Sequence, residues 1–319
     1  MSRALLARVP ATSANLGPGF DCMGVALDLW NEFSLSTAPG DGIAVTVEGE
    51  GAGVIPLDAS NIVAETMVGE WTRMGRADLL PGPGVGYALA CRNRVPCGSG
   101  LGSSSTAILG GLLLAHGWAA QASGLRGEAF GLENEPGPIL ARAVEIEGHG
   151  DNVAPALLGG LIVVTNQDGE VLTDRLPIAP MRVAVCVPDF AFSTSEARAA
   201  LPKMYTRADA IYNIGRAMLV IEALRNHDDA LLARAMGDRI HEPYRVPRIP
   251  GAAAARVAAL DAGAIAVSLS GAGPGLLAFA RTGHEAIGAA MVAAFAAAGL
   301  SARAWALDIS PDGSSVQYV

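Results

Sequence analysis

Residues 96–106 read PCGSGLGSSST, and this stretch is the most informative one in the chain. It follows a predicted strand, Tyr87–Val95, and precedes an apolar segment that is typical of a buried helix. Unpaired backbone amides and the positive end of a helix dipole together bind anions at such a junction. Gly98, Gly100 and Gly102 let the backbone approach a ligand closely, and the hydroxyls that follow can cap the helix, ligate a metal or bind phosphate oxygens. The stretch therefore predicts a phosphate-binding loop.

Other interpretations of this loop are weaker. A Walker loop requires a lysine after the glycines, and none follows here. A dinucleotide-binding turn requires GxGxxG and an acidic residue about 20 positions later, whereas this chain has GxGxxS and then Gln121. A plain turn that only caps a helix would need neither three spaced glycines nor three serines.

The first half of the chain alternates strands with long helices. Its predicted strands are Arg3–Val9, Val25–Ser36, the alternating apolar segment 43–47 and Tyr87–Val95, with an antiparallel start. Ser60 or Asn61 is predicted to cap a helix that ends at Gly75. A helix of about four turns follows the loop. A break at Glu133–Pro138 then leads into a helix toward Glu147.

The second half predicts a further layer of strands and helices. Its predicted strands are Gly160–Thr165, Met181–Val187, Ile265–Ser270, Leu276–Ala280 and Ala302–Asp308. Residues 193–237 have a helical pattern, with Ile211, Ile214 and Met218 on one predicted apolar face together with Ile221. An α+β fold in two domains is expected, with residues 1–165 in the first and 166–319 in the second.

Composition excludes several classes of protein. A chain of 319 residues sits at the size where one core tends to split in two. The net charge of −9, without a cluster of Lys and Arg, argues against nucleic acid and against anionic membranes as partners. The four cysteines are scattered, which indicates neither a disulfide framework nor a zinc site. No export signal or spanning segment is found, so a cytoplasmic location is expected.

Two further glycine-rich segments stand near the two ends of the chain. Residues 10–21 read PATSANLGPGFD, with Asn15 and Asp21 among glycines directly after a strand. Residues 268–276 read SLSGAGPGL between two apolar strands. Taken alone, the first is a turn or a pocket lining, and the second is explained by a hairpin.

In this order the three segments resemble the GHMP kinase superfamily, which includes galactokinase, homoserine kinase, mevalonate kinase and phosphomevalonate kinase. The resemblance covers nearly the whole chain. PATSANLGPGFD is similar to the homoserine kinase branch in particular, and HGDN at 149–152 is similar to the HxDN of that branch, with Gly where Pro is common. The resemblance implies a two-lobed α+β fold, with a ribosomal-S5-domain-2-like amino-terminal lobe and a ferredoxin-like carboxyl-terminal lobe.

The resemblance also implies ATP and Mg²⁺ as cofactors. The residues implied to bind ATP are Asn61, near the adenine, and the loop residues Pro96, Cys97, Gly98, Ser99, Gly100, Leu101, Gly102, Ser103, Ser104, Ser105 and Thr106. The implied catalytic residues are Asn152, Glu145 and Ser104, of which Ser104 and Glu145 hold the metal. Glu147 is the alternative to Glu145, because the spacing to the HxDN segment varies within the family.

The implied acceptor is L-homoserine, a small-molecule substrate, and the implied reaction, which gives O-phospho-L-homoserine, belongs to threonine biosynthesis. The residues implied to bind it are Asn15, Asp21, His149, Asp151, Thr194, Arg198, Arg245 and Gly271. Arg198 or Arg245 alone would more often be a solvated surface charge. The alternatives are a GHMP kinase for another alcohol and an inactive ligand-binding relative, and the family also suggests a homodimer.

Overall fold

The structure is a computed structural model that describes residues 4–124, 136–167 and 169–319. Its strands are β1 (Leu5–Ala14), β2 (Met23–Ala38), β3 (Gly42–Gly49), β4 (Gly86–Asn93), β5 (Leu161–Gln167), β6 (Glu170–Leu176), β7 (Arg182–Pro188), β8 (Ala266–Leu269), β9 (Leu276–Phe279), β10 (Ala302–Asp308) and β11 (Ser315–Tyr318). Its α-helices are α1 (Ile62–Arg73), α2 (Ser103–Ala122), α3 (Gly137–Glu147), α4 (Val153–Leu158), α5 (Thr194–Ala199), α6 (Arg207–Asn226), α7 (Asp229–Ala235), α8 (Glu242–Arg245), α9 (Ala252–Asp261) and α10 (His284–Ala297). Short 3₁₀ helices lie at Ala77–Leu79 and Val246–Arg248.

The first sheet has the strand order β11-β1-β2-β4-β3, and β5 joins it by pairing with both β2 and β6. The predicted antiparallel start is confirmed by the pairing of β1 with β2. The register of this pair shifts between Pro10 and Ala11, where the proline has no N–H to donate to the ladder. Beyond this irregularity β1 continues into residues 11–14, which begin the first glycine-rich segment.

Helix α2 packs across the first sheet and forms the centre of its core. A Cβ atom at Gly110 would lie 2.3 Å from the ring of Phe33, and one at Gly111 would lie 2.6 Å from the carbonyl oxygen of Val63 in α1. Glycine is required at both positions because α2 approaches the sheet and α1 too closely for any side chain. This close approach places the amino terminus of α2 against the ends of β1 and β4.

Glu70 connects α1, α2 and α3. Its side chain is fully buried in α1, where it accepts hydrogen bonds from Arg73 at 2.7 and 2.9 Å and pairs with His116 of α2 at 2.9 Å. Arg142 of α3 also reaches Glu70, at 3.3 Å. A buried carboxylate requires such partners, so the contacts hold α3 at a defined position beside α2.

The second sheet has the order β10-β7-β9-β8 and carries helices on both faces. Alternate residues of β7 point to opposite sides: Val183 and Val185 pack with α6 and α7, whereas Ala184 and Cys186 pack with α9 and α10. This explains why the strand is an unbroken apolar run in the sequence. The predicted α+β class is confirmed by this arrangement.

The two sheets are linked by chain segments that cross between them. β11 returns from the second lobe and pairs with β1, and Leu27 bridges to Ile309 just after β10. The predicted division at residue 165 lies within β5, which pairs with β6. It stays a prediction.

Several predicted elements need correction. α2 has 20 residues, which is more than the predicted four turns, and residues 193–237 form α5, α6 and α7 rather than one helical segment. The apolar face predicted on α6 is wrong: Ile211, Ile214 and Met218 are 63%, 57% and 61% exposed. The helix instead buries Asn213 and, near its end, Val220, Ala223 and Leu224. The start of the break at Glu133–Pro138 lies outside the described residues, as does Arg3.

Strand β6 was not predicted, because its residues are mostly polar and it lies at the edge of the first sheet. Within the described ranges, no helix combines the length and hydrophobicity that a membrane span requires.

Candidate active site

One pocket between the lobes collects most of the residues that the sequence singled out. The predicted residues that line it are Asn15, Asp21, Gly98, Ser99, Gly100, Gly102, Ser103, Ser104, His149, Asp151, Asn152, Thr194, Arg198, Arg245 and Gly271. Glu147, the predicted alternative to Glu145, also lines it, and the residues that line it without having been predicted as site residues are Phe192, Ser193, Ala272 and Gly273. Loops at the ends of both sheets therefore build the site together.

The phosphate-binding loop connects β4 to α2, as predicted. Helix α2 begins after Gly102, which has a φ of 71° and provides no side-chain cap. The amides of the first turn are thus left for an anion, which the positive end of the helix dipole also attracts. Pro96, Leu101, Ser105 and Thr106, although predicted to bind ATP, do not line the pocket.

The carboxyl-terminal glycine-rich segment packs directly on this loop. A Cβ atom at Gly100 would lie 2.2 Å from the carbonyl oxygen of Ser270, and Gly100 has a φ of 79°. The hydroxyl of Ser270 donates to the carbonyl oxygen of Gly100 at 2.8 Å. The segment is therefore more than a hairpin turn, because it supports the loop from the second lobe.

Asn61 lies at a second, mainly apolar cavity that meets the loop at Gly98 and Ser103. Its side chain caps α1 by accepting from the amide of Val63 at 3.0 Å and donates to the carbonyl oxygen of Pro56 at 3.0 Å. Cys97 lines the same cavity. An apolar cavity beside a phosphate-binding loop is suited to bind the planar base of a nucleotide.

Glu147, rather than Glu145, is the carboxylate beside the loop. Ser104 and Ser105 donate hydrogen bonds to its two oxygens at 2.9 and 2.8 Å. Glu145 is instead paired with Arg142 at 2.7 Å, is 69% exposed and does not line the pocket. Positions two apart on a helix point about 200° away from each other, so only one of them can face α2. This geometry favours Glu147 over Glu145 as the metal-binding carboxylate, and that assignment stays a prediction.

The HGDN segment places a histidine and an amide at the floor of the pocket. Nδ1 of His149 lies 2.9 Å from a carboxylate oxygen of Asp151. Burial by itself would lower the pKa of His149, but the hydrogen bond to Asp151 and the charges of Asp151 and Glu147 outweigh it and raise that pKa. Asn152 precedes α4, and its Oδ1 accepts a hydrogen bond from Thr12 at 2.8 Å.

Two arginines form the opposite wall of the pocket. Arg198 of α5 donates to both carboxylate oxygens of Asp21, at 3.0 and 3.2 Å. Arg245 of α8 is only 2% exposed and donates to the carbonyl oxygens of Ala197 and Gly271, at 3.2 and 3.4 Å. Among the described residues it forms no ion pair, and burial lowers the pKa of its guanidinium. A buried cation without a counter-ion is costly, so this side chain is suited to binding an anion.

His241 and Phe20 hold Arg245, and sequence reasoning missed both. The ring of His241 is fully buried, and its Nε2 donates to the carbonyl oxygen of Gly17 at 2.8 Å. Its Nδ1 is therefore the acceptor that faces Arg245, at 3.5 Å. Phe20 stacks on His241 at 5.3 Å and also lies under the Arg245 guanidinium. The i, i+4 spacing of His241 and Arg245 was the available signal.

Asn15 joins the segments at the two ends of the chain. It has a φ of 71°, donates to the carbonyl oxygen of Gly271 at 2.7 Å and accepts from the amide of Asp21 at 2.9 Å. Asp21 is thereby held in reach of Arg198. The predicted substrate residues are thus connected to one another, although they come from distant parts of the sequence.

Comparison with known proteins decides the family. The model for the GHMP kinase N-terminal domain matches residues 68–160, and the model for the GHMP kinase C-terminal region matches residues 220–297. A homoserine kinase of Moorella thermoacetica is 40% identical over 296 residues, which cover 92% of this chain and 94% of that protein. The chain belongs to the homoserine kinase family of GHMP kinases. Another homoserine kinase, from Desulfitobacterium hafniense, is 39% identical over 97% of this chain and 98% of its own length.

Solved structures agree with this placement. The crystal structure of homoserine kinase from Cytophaga hutchinsonii has a TM-score of 0.82 and 29% identity, covering 98% of this chain and 97% of that one. A mevalonate kinase from L. major has a TM-score of 0.65 at 17% identity, covering 98% of this chain and 97% of its own, and shows the shared fold alone. The predicted two-lobed GHMP fold is confirmed, and membership of a kinase family implies the use of ATP.

Proposed function

We propose that this chain transfers the γ-phosphoryl group of ATP to the side-chain hydroxyl of L-homoserine, giving O-phospho-L-homoserine, ADP and a proton released from the hydroxyl, for threonine biosynthesis. The observation that carries the proposal is the buried guanidinium of Arg245, in the same pocket as the phosphate-binding loop. Two relatives named homoserine kinase, which match this chain over nearly their whole length, support the same reaction.

ATP is proposed to bind with its phosphates at the start of α2 and its base in the cavity of Asn61. The loop amides and the helix dipole take the place that a lysine has in other nucleotide sites. The hydroxyl of Ser104 and the carboxylate of Glu147, 2.9 Å apart, suit Mg²⁺, which binds oxygen ligands and completes its shell with phosphates and water. When bound, the metal neutralises charge on the transferring phosphates.

Homoserine is proposed to bind with its carboxylate at Arg245 and Arg198. A guanidinium that lacks a counter-ion gains most from a carboxylate, because the two planar groups share hydrogen bonds. Asp21, Asn15 and the segment from His149 to Asp151 then face the amino and hydroxyl groups. Asp21 already pairs with Arg198, so it can hold that arginine while its charge attracts the ammonium group.

Asn152 is proposed to face the attacking hydroxyl. An amide cannot take up a proton, so Asn152 orients the hydroxyl and does not act as a general base. Phosphoryl transfer tolerates this arrangement, because its transition state is loose and depends mainly on positioning and charge neutralisation. These roles are assignments for this chain's residues that activity measurements can test one by one.

The first prediction concerns the carboxylate site. 3-Aminopropan-1-ol, which is homoserine without its carboxylate, should be a very poor acceptor, by about 10⁴-fold, because it leaves the arginines unpaired. Arg245→Met should lower kcat/KM for homoserine by about 100-fold or more, yet hardly change the poor rate with the analogue. Release of ADP, measured in a coupled assay with both acceptors, checks this.

Arg239→Met is a matched control, because Arg239 is half-exposed and pairs with Asp209 outside the pocket. It should leave the preference between the two acceptors unchanged. If Arg245→Met slows both acceptors by the same factor, Arg245 is structural or contacts ATP. If homoserine is not phosphorylated at all, the chain is a kinase for another alcohol or an inactive relative.

A further inference from the structure

Thr12 lies in β1 at the point where the phosphate-binding loop meets Asn152. It is fully buried, and its backbone amide donates to the carbonyl oxygen of Leu101 at 3.1 Å. Its hydroxyl donates to Oδ1 of Asn152 at 2.8 Å, across a sequence separation of 140 residues. One threonine therefore contacts both the loop that binds the phosphates and the amide that faces the acceptor.

The hydroxyl of Thr12 decides which way the Asn152 amide points. Among the described residues, no other hydrogen bond of this hydroxyl is found, so Oδ1 of Asn152 is its acceptor. Turning the amide over would leave the hydroxyl proton without an acceptor in a buried place, which costs free energy. With Oδ1 occupied in this way, the amide group of Asn152 presents N–H donors to the pocket that it lines.

Tight packing keeps this contact in place. A Cβ atom at Gly102 would lie 2.2 Å from the hydroxyl oxygen of Thr12 and 3.2 Å from Oδ1 of Asn152. Gly102 is the residue directly before α2, so the start of that helix touches the Thr12–Asn152 pair. Thr12 itself does not line the pocket.

We propose that Thr12 is a positioning residue for phosphoryl transfer, whose hydroxyl orients Asn152 so that its N–H groups face the attacking oxygen of the acceptor. The proposal rests on the proposed function, because it needs the acceptor hydroxyl at Asn152. Removal of the Thr12 hydroxyl should therefore lower the rate of phosphoryl transfer without weakening the binding of ATP or homoserine. Since Thr12 touches neither substrate, a substitution that removes its hydroxyl alters only the alignment of the reacting groups.

The test replaces Thr12 by Val, which keeps the size and the backbone hydrogen bond but removes the hydroxyl. Single-turnover phosphorylation of homoserine should slow by about 10- to 100-fold, while the KM values for ATP and homoserine change by less than about threefold. Thr12→Ser keeps a hydroxyl and should restore the rate to within about threefold. Thr66→Val is the matched control, because Thr66 is also buried but lies in α1 outside the pocket.

A double-mutant cycle with Asn152→Ala separates this inference from the proposed function. Thr12→Val should add almost nothing in the Asn152→Ala background, because its effect acts through that amide. If Thr12→Val slows both backgrounds equally, or raises the KM values instead of lowering the rate, the inference is wrong. If Asn152→Ala slows transfer but Thr12→Val does not, the inference alone is wrong. If Asn152→Ala has no effect, the role proposed for Asn152 is wrong as well.

Thr12→Cys covers the case in which Thr12→Val does not fold. Its thiol is a weak donor of similar size, so it should give a rate between those of Thr12→Ser and Asn152→Ala. A rate for Thr12→Cys equal to that of the unmodified chain would overturn the inference.

Discussion

At the scale of single residues, His149 is the group in the pocket whose charge responds to pH near neutrality. Burial opposes its protonation, but the hydrogen bond to Asp151 and the nearby charges of Asp151 and Glu147 prevail. A histidine whose pKa is raised by folding stabilises the native state fully below about pH 6.5, its ordinary pKa. That contribution is lost as the pH rises through the higher pKa of the folded state.

We therefore expect the imidazole signal of His149 in NMR to titrate above pH 6.5. Asp151→Asn should lower this pKa, because burial remains while the negative charge is removed. Asp78→Asn, which changes an exposed carboxylate paired with Arg76, should leave it unchanged. The signal is assigned by its loss in His149→Asn. A pKa of His149 that does not move in Asp151→Asn would show that Asp151 is not its main partner.

Contacts between single residues are also where sequence reasoning reached its limit. Asn15, Asp21, Arg198 and Arg245 were predicted through resemblance, and the structure places all of them at one pocket. Thr12 and His241 were not predicted as site residues. Apart from the i, i+4 spacing of His241 and Arg245, their contacts span 140 or 224 residues, and such contacts leave no pattern in a single sequence. Only folding brings such atoms together.

At the scale of elements, α3 shows why a helix must be placed before its side chains can be assigned. The sequence predicted a helix toward Glu147 but not which of its two glutamates faces α2. Arg142 settles this, since it binds Glu70 on one side and Glu145 on the other. α6 gives the same lesson, because the residues of its predicted apolar face are exposed and the helix packs against the second sheet through residues near its end.

The placement of α3 predicts different outcomes for its two glutamates. Glu147→Gln should weaken activation by Mg²⁺ and lower kcat by about 100-fold or more, because a charged oxygen ligand is lost. Glu145→Gln, the matched control two residues away, should lower kcat by less than about twofold. Rates measured as a function of the Mg²⁺ concentration check this. A larger effect of Glu145→Gln than of Glu147→Gln would show that Glu145, and not Glu147, binds the metal.

At the scale of the whole molecule, the pocket is built from both lobes. The phosphate-binding loop, Glu147 and Asn152 belong to the elements around the first sheet, whereas Arg198, Arg245 and Gly271 belong to those around the second. The two-lobed fold was predicted because three motifs in fixed order carried it. Strand β11, which pairs with β1 after the chain has formed the second sheet, was not predicted. Its four residues alternate between polar and apolar, but the pattern is too short to indicate a strand.

The last prediction follows from this division of the pocket. A ligand that binds only the folded chain stabilises it by about 2.7 kcal/mol at 100 times its Kd, which in a chain of this size raises Tm by roughly 5 °C. A non-hydrolysable ATP analogue, added together with Mg²⁺, should raise Tm. Homoserine, added separately, should raise Tm as well, because each ligand binds a site that only the folded chain has. Arg245→Met should abolish the shift caused by homoserine and keep the shift caused by the ATP analogue, since the arginine and the loop lie on different lobes. Arg239→Met should keep both shifts, and calorimetry or dye-based melting measures them. If Arg245→Met removes the nucleotide shift as well, Arg245 supports the whole pocket, and its place as the partner of the acceptor carboxylate is wrong.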